Sequence, residues 1–278
     1  MFLQVSVSGS KQQTEALLPS LVELGCIGFE ETDTHLIGYL LLPPARDRSE
    51  KLKEALLETL RRISSNAEIT FAEIPDRNWN EEWERTIQPI EVGERFVIRP
   101  SWREYRNDSG RIVLVIDPKM SFGTGYHETT RLMLLLLERY AAPGSFVLDV
   151  GTGTGVLAIA AVKLGAVRAV GTDTDGWAVE NAIENVRLNG VPDRVTVFHG
   201  SIPGGLHPAP GMICANLTLN DLRAMLGHFR EILAAGGTLL ISGLLAGDES
   251  PIGEALAGAG FHAVETVREN EWLAICAR

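Results

Sequence analysis

The chain has 278 residues, 45% of them hydrophobic, enough for one large domain or two smaller ones with ample core. Its formal charge of −11 argues against sequence-independent nucleic-acid binding, which rests on Lys and Arg neutralising phosphates, and suits a basic partner, although an acidic balance also aids solubility. The apolar run Leu132–Leu137 is far too short for a bilayer, the first residues lack the basic start and apolar block of a secretory signal, and the distant Cys26, Cys214 and Cys276 form no C-x-x-C pair, so a cytoplasmic chain with reduced thiols and no membrane association is expected.

Taken in order, residues 2–7 alternate like a strand, and residues 11–25 carry Leu17, Leu18, Leu21 and Val22 at helical spacing. Residues 28–42 give two short strands around Thr34-His35. Residues 49–64 return to a helical pattern through Leu52, Ala55, Leu56 and Leu60, and residues 68–74 alternate again. The order β-α-β-β-α-β predicts a small ferredoxin-like α+β domain over residues 1–75, with no catalytic cluster of its own. A connector spans 76–90, where Trp79 and Trp83 share a helix face as packing anchors. The run Ile112–Ile116 then leads into the second domain, residues 91–278. There strands over 146–150, 168–173, 194–198, 211–216 and 237–242 alternate with helices, which predicts a doubly wound α/β sheet. Apolar runs at 261–267 and 272–277 predict a closing hairpin.

The stretch Val147-Leu148-Asp149-Val150-Gly151-Thr152-Gly153-Thr154-Gly155 reads as a buried strand, a glycine turn and a helix start. Such a turn admits a ligand close to the backbone, and the helix start offers free N–H groups. Val156 stands where a dinucleotide fingerprint needs its third glycine, so the spacing opposes a nicotinamide cofactor. Asp173, at the end of the next strand, is placed to accept hydrogen bonds from ribose hydroxyls. Ser201 follows the third strand, either beside an adenine or as the cap of a short turn. Asn216 ends the fourth strand, where its amide oxygen can accept a hydrogen bond from an incoming amine; an ordinary strand-end turn residue is the bland alternative. Upstream, Phe122-Gly123-Thr124-Gly125-Tyr126-His127-Glu128-Thr129-Thr130 forms a loop with Thr130 at or near a helix start. His127 reads as a helix cap rather than a general base, and no metal-ligand spacing accompanies it.

The spacing G-x-G-x-G with Asp149 and Asp173 resembles the first motifs of class I S-adenosylmethionine (SAM) methyltransferases. Residues 122–130, Gly93-Glu94-Arg95, Pro100-Ser101-Trp102 and Ala215-Asn216 together are similar to the PrmA family, methyltransferases of the large-subunit ribosomal protein L-eleven. The resemblance covers nearly the whole chain. It implies a Rossmann-like class I methyltransferase domain behind a front domain that grips the ribosomal protein. It implies SAM contacts at Thr130, Gly151, Asp173 and Asn216; Gly153 and Ser201 are further expected cofactor contacts, Asn216 the expected catalytic residue, and Phe122, Thr124 and His127 expected substrate contacts. The acceptors would be lysine side chains, the N-terminal amine or both. The chain departs from the usual family pattern at Lys119-Met120-Ser121, at Glu128 and at Leu217-Thr218-Leu219, which touches acceptor geometry more than cofactor binding. It also lacks the Pro-Pro-aromatic that often follows Asn in enzymes acting on planar nitrogens. Rival expectations are methylation of another protein, an RNA or a small molecule, or a non-catalytic SAM-binding module.

Overall fold

The computed structural model describes residues 2–8, 17, 21, 26, 28–31, 35–41, 46–63, 68–74, 87–119 and 121–278. The chain divides into two compact units, Met1–Arg85 and Thr86–Arg278. The expected helix over 11–25 lies outside the described residues apart from Leu17 and Leu21, which are helical and buried, and the expected helix face of Trp79 and Trp83 lies outside them altogether.

The first unit carries strands β1 (Phe2–Ser8), β2 (Gly28–Glu31), β3 (His35–Leu41) and β4 (Glu68–Ile74), with helix α1 (Arg46–Ile63) between β3 and β4. The sheet order is β2-β3-β1-β4 and every pairing is antiparallel. That order places the first and last strands side by side, as in a split β-α-β arrangement. Period-two alternation on the central β1 buries Leu3, Val5 and Val7. They meet Leu36 and Leu40 of β3, Leu56 and Leu60 of α1, and Leu17 and Leu21. Ala55, read as part of the apolar helix face, is exposed.

The second unit opens with a three-stranded sheet that the expected strands do not include; the apolar run Ile112–Ile116 supplies its last strand. It comprises β5 (Ile90–Val92), β6 (Phe96–Arg99) and β7 (Ile112–Val115), with β5 and β6 antiparallel and β6 and β7 parallel. The main sheet follows, built from β8 (Phe146–Val150), β9 (Arg168–Asp173), β10 (Val195–His199), β11 (Met212–Asn216), β12 (Thr238–Leu245), β13 (Ala263–Glu269) and β14 (Trp272–Ala277). The helices are α2 (Glu128–Tyr140), α3 (Val156–Lys163), α4 (Gly176–Leu188), α5 (Leu219–Ile232) and α6 (Glu249–Gly258). Sheet order is β10-β9-β8-β11-β12-β14-β13; only β14 runs against its neighbours.

Both faces of this sheet are covered, so its strands are apolar throughout rather than alternating. Val147, Met212, Cys214, Leu240 and Cys276 face the layer of α2 and α3, while Phe146, Leu148, Ile213, Leu239 and Ile275 face α5 and α6. All three cysteines are buried free thiols. The strand β12 runs past its expected end because Leu244 and Leu245 pair with β14 across a register shift. The closing hairpin turns at Asn270, whose positive φ of 52° suits a tight two-residue loop. Among the described residues no helix is long and apolar enough to cross a membrane.

Strand order reverses between β8 and β11. Successive connections leave β8 in one direction toward β9 and β10, and return through β11 and β12 in the other. Open α/β sheets bind ligands at such a point, beyond the carboxyl ends of the strands. Here those ends are Val150-Gly151 and Asn216-Leu217.

Candidate functional site

A cleft of about 560 Å³ lies at this switch point, walled by Phe122, Gly151, Gly153, Asp173, Ser201 and Asn216 among others. The glycine turn forms its floor. Gly151 and Thr152 both donate their N–H to the Thr172 carbonyl, at 2.9 Å each. Gly151 has φ 68°, and a Cβ there would lie 2.5 Å from Leu217 Cδ2. Gly153 has φ 54°, and a Cβ would lie 2.3 Å from the Phe122 carbonyl oxygen. Both positions therefore need glycine for conformation and for space.

Asp173 joins two loops at the cleft edge. Its Oδ2 accepts from Gly153 N–H at 2.9 Å, and its Oδ1 accepts from Asp175 N–H at 3.0 Å. Asp175 in turn caps α4 by accepting from Trp177 N–H at 2.9 Å. Each Asp173 oxygen keeps a further lone pair, which is the acceptor capacity a ribose needs.

Asp149 does different work. It lies buried in β8 and its Oδ2 accepts from Thr152 Oγ1 at 2.6 Å and from Ala158 N–H at 3.2 Å. It thus caps the first turn of α3, whose own N-cap is Gly155 with no side chain to offer. Desolvation by burial is the largest influence on its carboxyl and raises it from 3.8 to about 6; the two hydrogen bonds pull the other way, and the charge of Asp173 adds to the rise. Because the folded chain holds this proton more tightly than the unfolded one, the contribution is fully present below pH 3.8 and is lost as pH rises through about 6. Asp149→Asn should therefore gain stability relative to wild type by about 1 kcal/mol between pH 5 and pH 7.5. Urea unfolding of both proteins across that range measures it, and a stability difference that stays flat with pH would refute the assignment.

The loop from Asp117 to His127 closes over the glycine turn. Thr154 N–H donates to the Phe122 carbonyl at 2.9 Å, and Thr154 Oγ1 donates to the Gly123 carbonyl at 2.7 Å. A ladder of asparagines on α4 holds the loop's start. Asn189 bonds both Val115 N–H and Val115 carbonyl, at 3.0 and 2.6 Å. Asn185 accepts from Asp117 N–H at 2.9 Å and donates to the Thr154 carbonyl at 2.9 Å. Asn181 donates to the Asp117 carbonyl at 2.9 Å. Spaced at i, i+4 and i+8, these amides share one helix face and replace a missing strand partner. The sequence reading missed them. The signal was three asparagines at helical spacing on a face that is otherwise apolar.

A second, more apolar cavity of about 300 Å³ abuts the cleft. Phe122, Asn216, Leu217 and Asp221 line both. The His127 ring sits between Phe122 and Trp272, with ring centroids 5.2 and 4.7 Å away. His127 is the N-cap of α2: its Nδ1 accepts from Thr129 N–H at 3.3 Å. An accepting Nδ1 leaves the proton of a neutral ring on Nε2, so this arrangement offers a donor to the cavity and no base. Thr129 Oγ1 lies 2.9 Å from the same Nδ1 and accepts from Asn216 Nδ2 at 3.2 Å. With its Nδ2 so held, Asn216 has an Oδ1 that is buried and has no protein partner among the described residues.

The remaining candidates fall as follows. Ser201 is exposed and lines the cleft. Thr130 is buried in the first turn of α2, lines neither cavity and has an unpartnered Oγ1 among the described residues. Thr124 lines a separate small cavity with Ile98 and Tyr126. Asp221 and Trp272, which also line the apolar cavity, are not among the residues expected at the site from sequence.

A sheet closed by an antiparallel last strand, with a glycine turn and a strand-end carboxylate at its switch point, defines a class I methyltransferase domain. The comparisons with known proteins make this specific. Residues 1–278 match PrmA, described as ribosomal protein L11 methyltransferase, and the chain belongs to this family. A Chlorobaculum tepidum protein named ribosomal protein L11 methyltransferase is 39% identical over 266 residues, covering 93% of this chain and 90% of its own. A Pelotomaculum thermopropionicum protein of the same name is 36% identical over 243 residues, covering 87% and 78%. Among solved structures, a ribosomal protein L11 methylase from Lactobacillus delbrueckii subsp. bulgaricus superposes with a TM-score of 0.65 at 29% identity, covering 69% of this chain and 98% of its own.

Proposed function

We propose that this methyltransferase moves methyl groups from SAM to amino groups of ribosomal protein L11, in the cytoplasm, and that its first unit grips the protein substrate. The observation that carries the reading is the unpartnered Asn216 Oδ1, set in the wall between a polar cleft and an apolar cavity. Gly151 and Gly153 set bare backbone in the cleft wall for a nucleoside to lie along, Asp173 offers its free lone pairs to the ribose, and Ser201 stands at the same cleft's edge. SAM supplies a methyl group already activated on a sulfonium.

The chain's own task is placement. A lysine amine has a reference pKa of ~10.4 and arrives protonated. The apolar cavity lined by Phe122, Leu217 and Trp272 disfavours the charged form, which eases loss of the proton to solvent. Asn216 Oδ1 accepts an N–H of the neutral amine, and this fixes its lone pair toward the cleft.

Incubation with methyl-labelled SAM and undermethylated ribosomal proteins, followed by mass spectrometry, tests the reading: label in L11 is expected. Label in a different protein with none in L11 would overturn it. On the cofactor side, Asp173→Ala should weaken SAM binding by about 1–3 kcal/mol, the loss usual for a charged hydrogen-bond partner. Calorimetry reads this directly, and an unchanged affinity would remove Asp173 from the SAM site.

A further inference from the structure

We propose that Asp221 captures the acceptor amine in its cationic form and so biases the enzyme toward lysine side chains over an N-terminal amine; this rests on the amine-methylating function proposed above. Asp221 sits in the first turn of α5, next to the Asn216 strand end, and lines both cavities. Of the four described residues shared by the two cavities, it alone carries a charge. Its Oδ2 accepts from Thr218 Oγ1 at 2.6 Å, and its N–H donates to the same oxygen at 3.4 Å. Its Oδ1 has no partner among the described residues, and the side chain is exposed.

Among the described residues, the other titratable groups around the two cavities are Asp173, Asp175 and His127. Asp173 spends one bond from each oxygen on backbone N–H groups, and Asp175 caps α4. His127 Nδ1 is taken up by Thr129. No Lys or Arg lines either cavity among the described residues. A cation entering the apolar cavity therefore meets one carboxylate with a free oxygen, placed where that cavity opens into the cofactor cleft.

The two acceptor types differ in charge at the same pH. A lysine amine has a reference pKa of ~10.4 and an α-amine of about 7.7–8.0. Near pH 9 the first is almost wholly cationic and the second almost wholly neutral. A carboxylate at that junction attracts the first and is indifferent to the second. It also holds the proton on, since an opposite charge favours the charged form. Its benefit falls on capture, and thus on KM, rather than on the methyl-transfer step.

The test uses the full-length enzyme at pH 9 with two forms of L11. One is acetylated at its N-terminus, so that only lysines accept; the other has its lysines acetylated, so that only the α-amine accepts. Asp221→Asn keeps an oxygen for the Thr218 hydroxyl and removes the charge. We expect it to raise KM about five-fold for the lysine-only form and several times less for the α-amine form, with the loss on KM rather than kcat. Equal KM shifts on the two forms would overturn the proposal. So would a fall in kcat at unchanged KM, or a loss of SAM affinity that accounts for the whole effect. If the variant does not fold, raising the salt concentration with wild-type enzyme gives the same reading, because screening should raise the lysine KM more than the α-amine KM; equal salt sensitivity would overturn it. Wild-type enzyme that labels neither form sinks the proposed function instead, a separate outcome.

Discussion

Asn216→Ala should lower turnover on L11 about 100-fold while the protein stays folded. The side chain lies at the end of β11, past the last strand pairing to β8, so it contributes little to either core. Its one side-chain bond among the described residues, Nδ2 to Thr129 Oγ1 at 3.2 Å, is worth about 1 kcal/mol. The larger loss is geometric. The relay from Asn216 Nδ2 to Thr129 Oγ1 to His127 Nδ1 dictates which end of the amide faces the acceptor. Without the Oδ1 acceptor, the amine lone pair is free to point away from the cleft, and misplacement of about 1 Å costs a factor on the order of 10². Asn216→Asp separates the parts, because it keeps an acceptor oxygen and forfeits the donor to Thr129. Single-turnover kinetics at saturating SAM, with thermal melts alongside, measure the effect. A folded Asn216→Ala enzyme working at the wild-type rate would end the assignment.

Strands β8 and β9 were legible to the residue, and the reasons are local. Each is a short apolar run, buried on both faces, and stopped by a glycine turn or by Asp173-Thr174-Asp175. The sheet β5-β6-β7 was not legible. Ile90–Val92 is three residues long and Phe96–Arg99 four, and neither shows the alternation that betrays a half-exposed strand, because β6 is buried at Phe96, Val97 and Ile98 in succession.

Site residues divide along the same line. Gly151, Gly153 and Asp173 sit within one β-α-β unit, so their spacing in sequence is already their spacing in the fold. Asn216 is 43 positions beyond Asp173, yet strand order alone brings it to the same edge. What sequence does not encode locally is the direction of a loop. Thr124 and His127 are three positions apart but line different cavities, because the backbone turns between them at Gly125, whose φ is 86°. Asp221 went unread for a similar reason: in sequence it is one more acid in a helix start, and its place in the wall of both cavities follows from α5 starting just beyond the end of β11.

A chain beginning at Thr86 should keep SAM affinity and lose at least 100-fold of its activity on L11. The two units have separate cores. Leu3, Val5, Leu36, Leu56 and Leu60 form one, and among the described residues the clusters on either face of the main sheet draw on none before Ile90. Every described residue that lines the 560 Å³ cleft lies between Ser121 and Met225. The truncation therefore removes none of the described residues that line the cofactor site, and calorimetry should show SAM binding near the full-length value. Activity on the protein substrate depends on something else. A surface that docks the ribosomal protein converts the approach of one amine from a free encounter into an event at high effective concentration, and removing it returns the reaction to free encounter. A small amine such as lysine amide makes no use of such a surface. It should be methylated slowly and equally by both chains, which controls for damage to the catalytic unit. If the truncated and full-length chains methylate L11 equally well, the first unit is not a recognition domain, and the acceptor must be positioned entirely by the cavity between Phe122, His127 and Trp272.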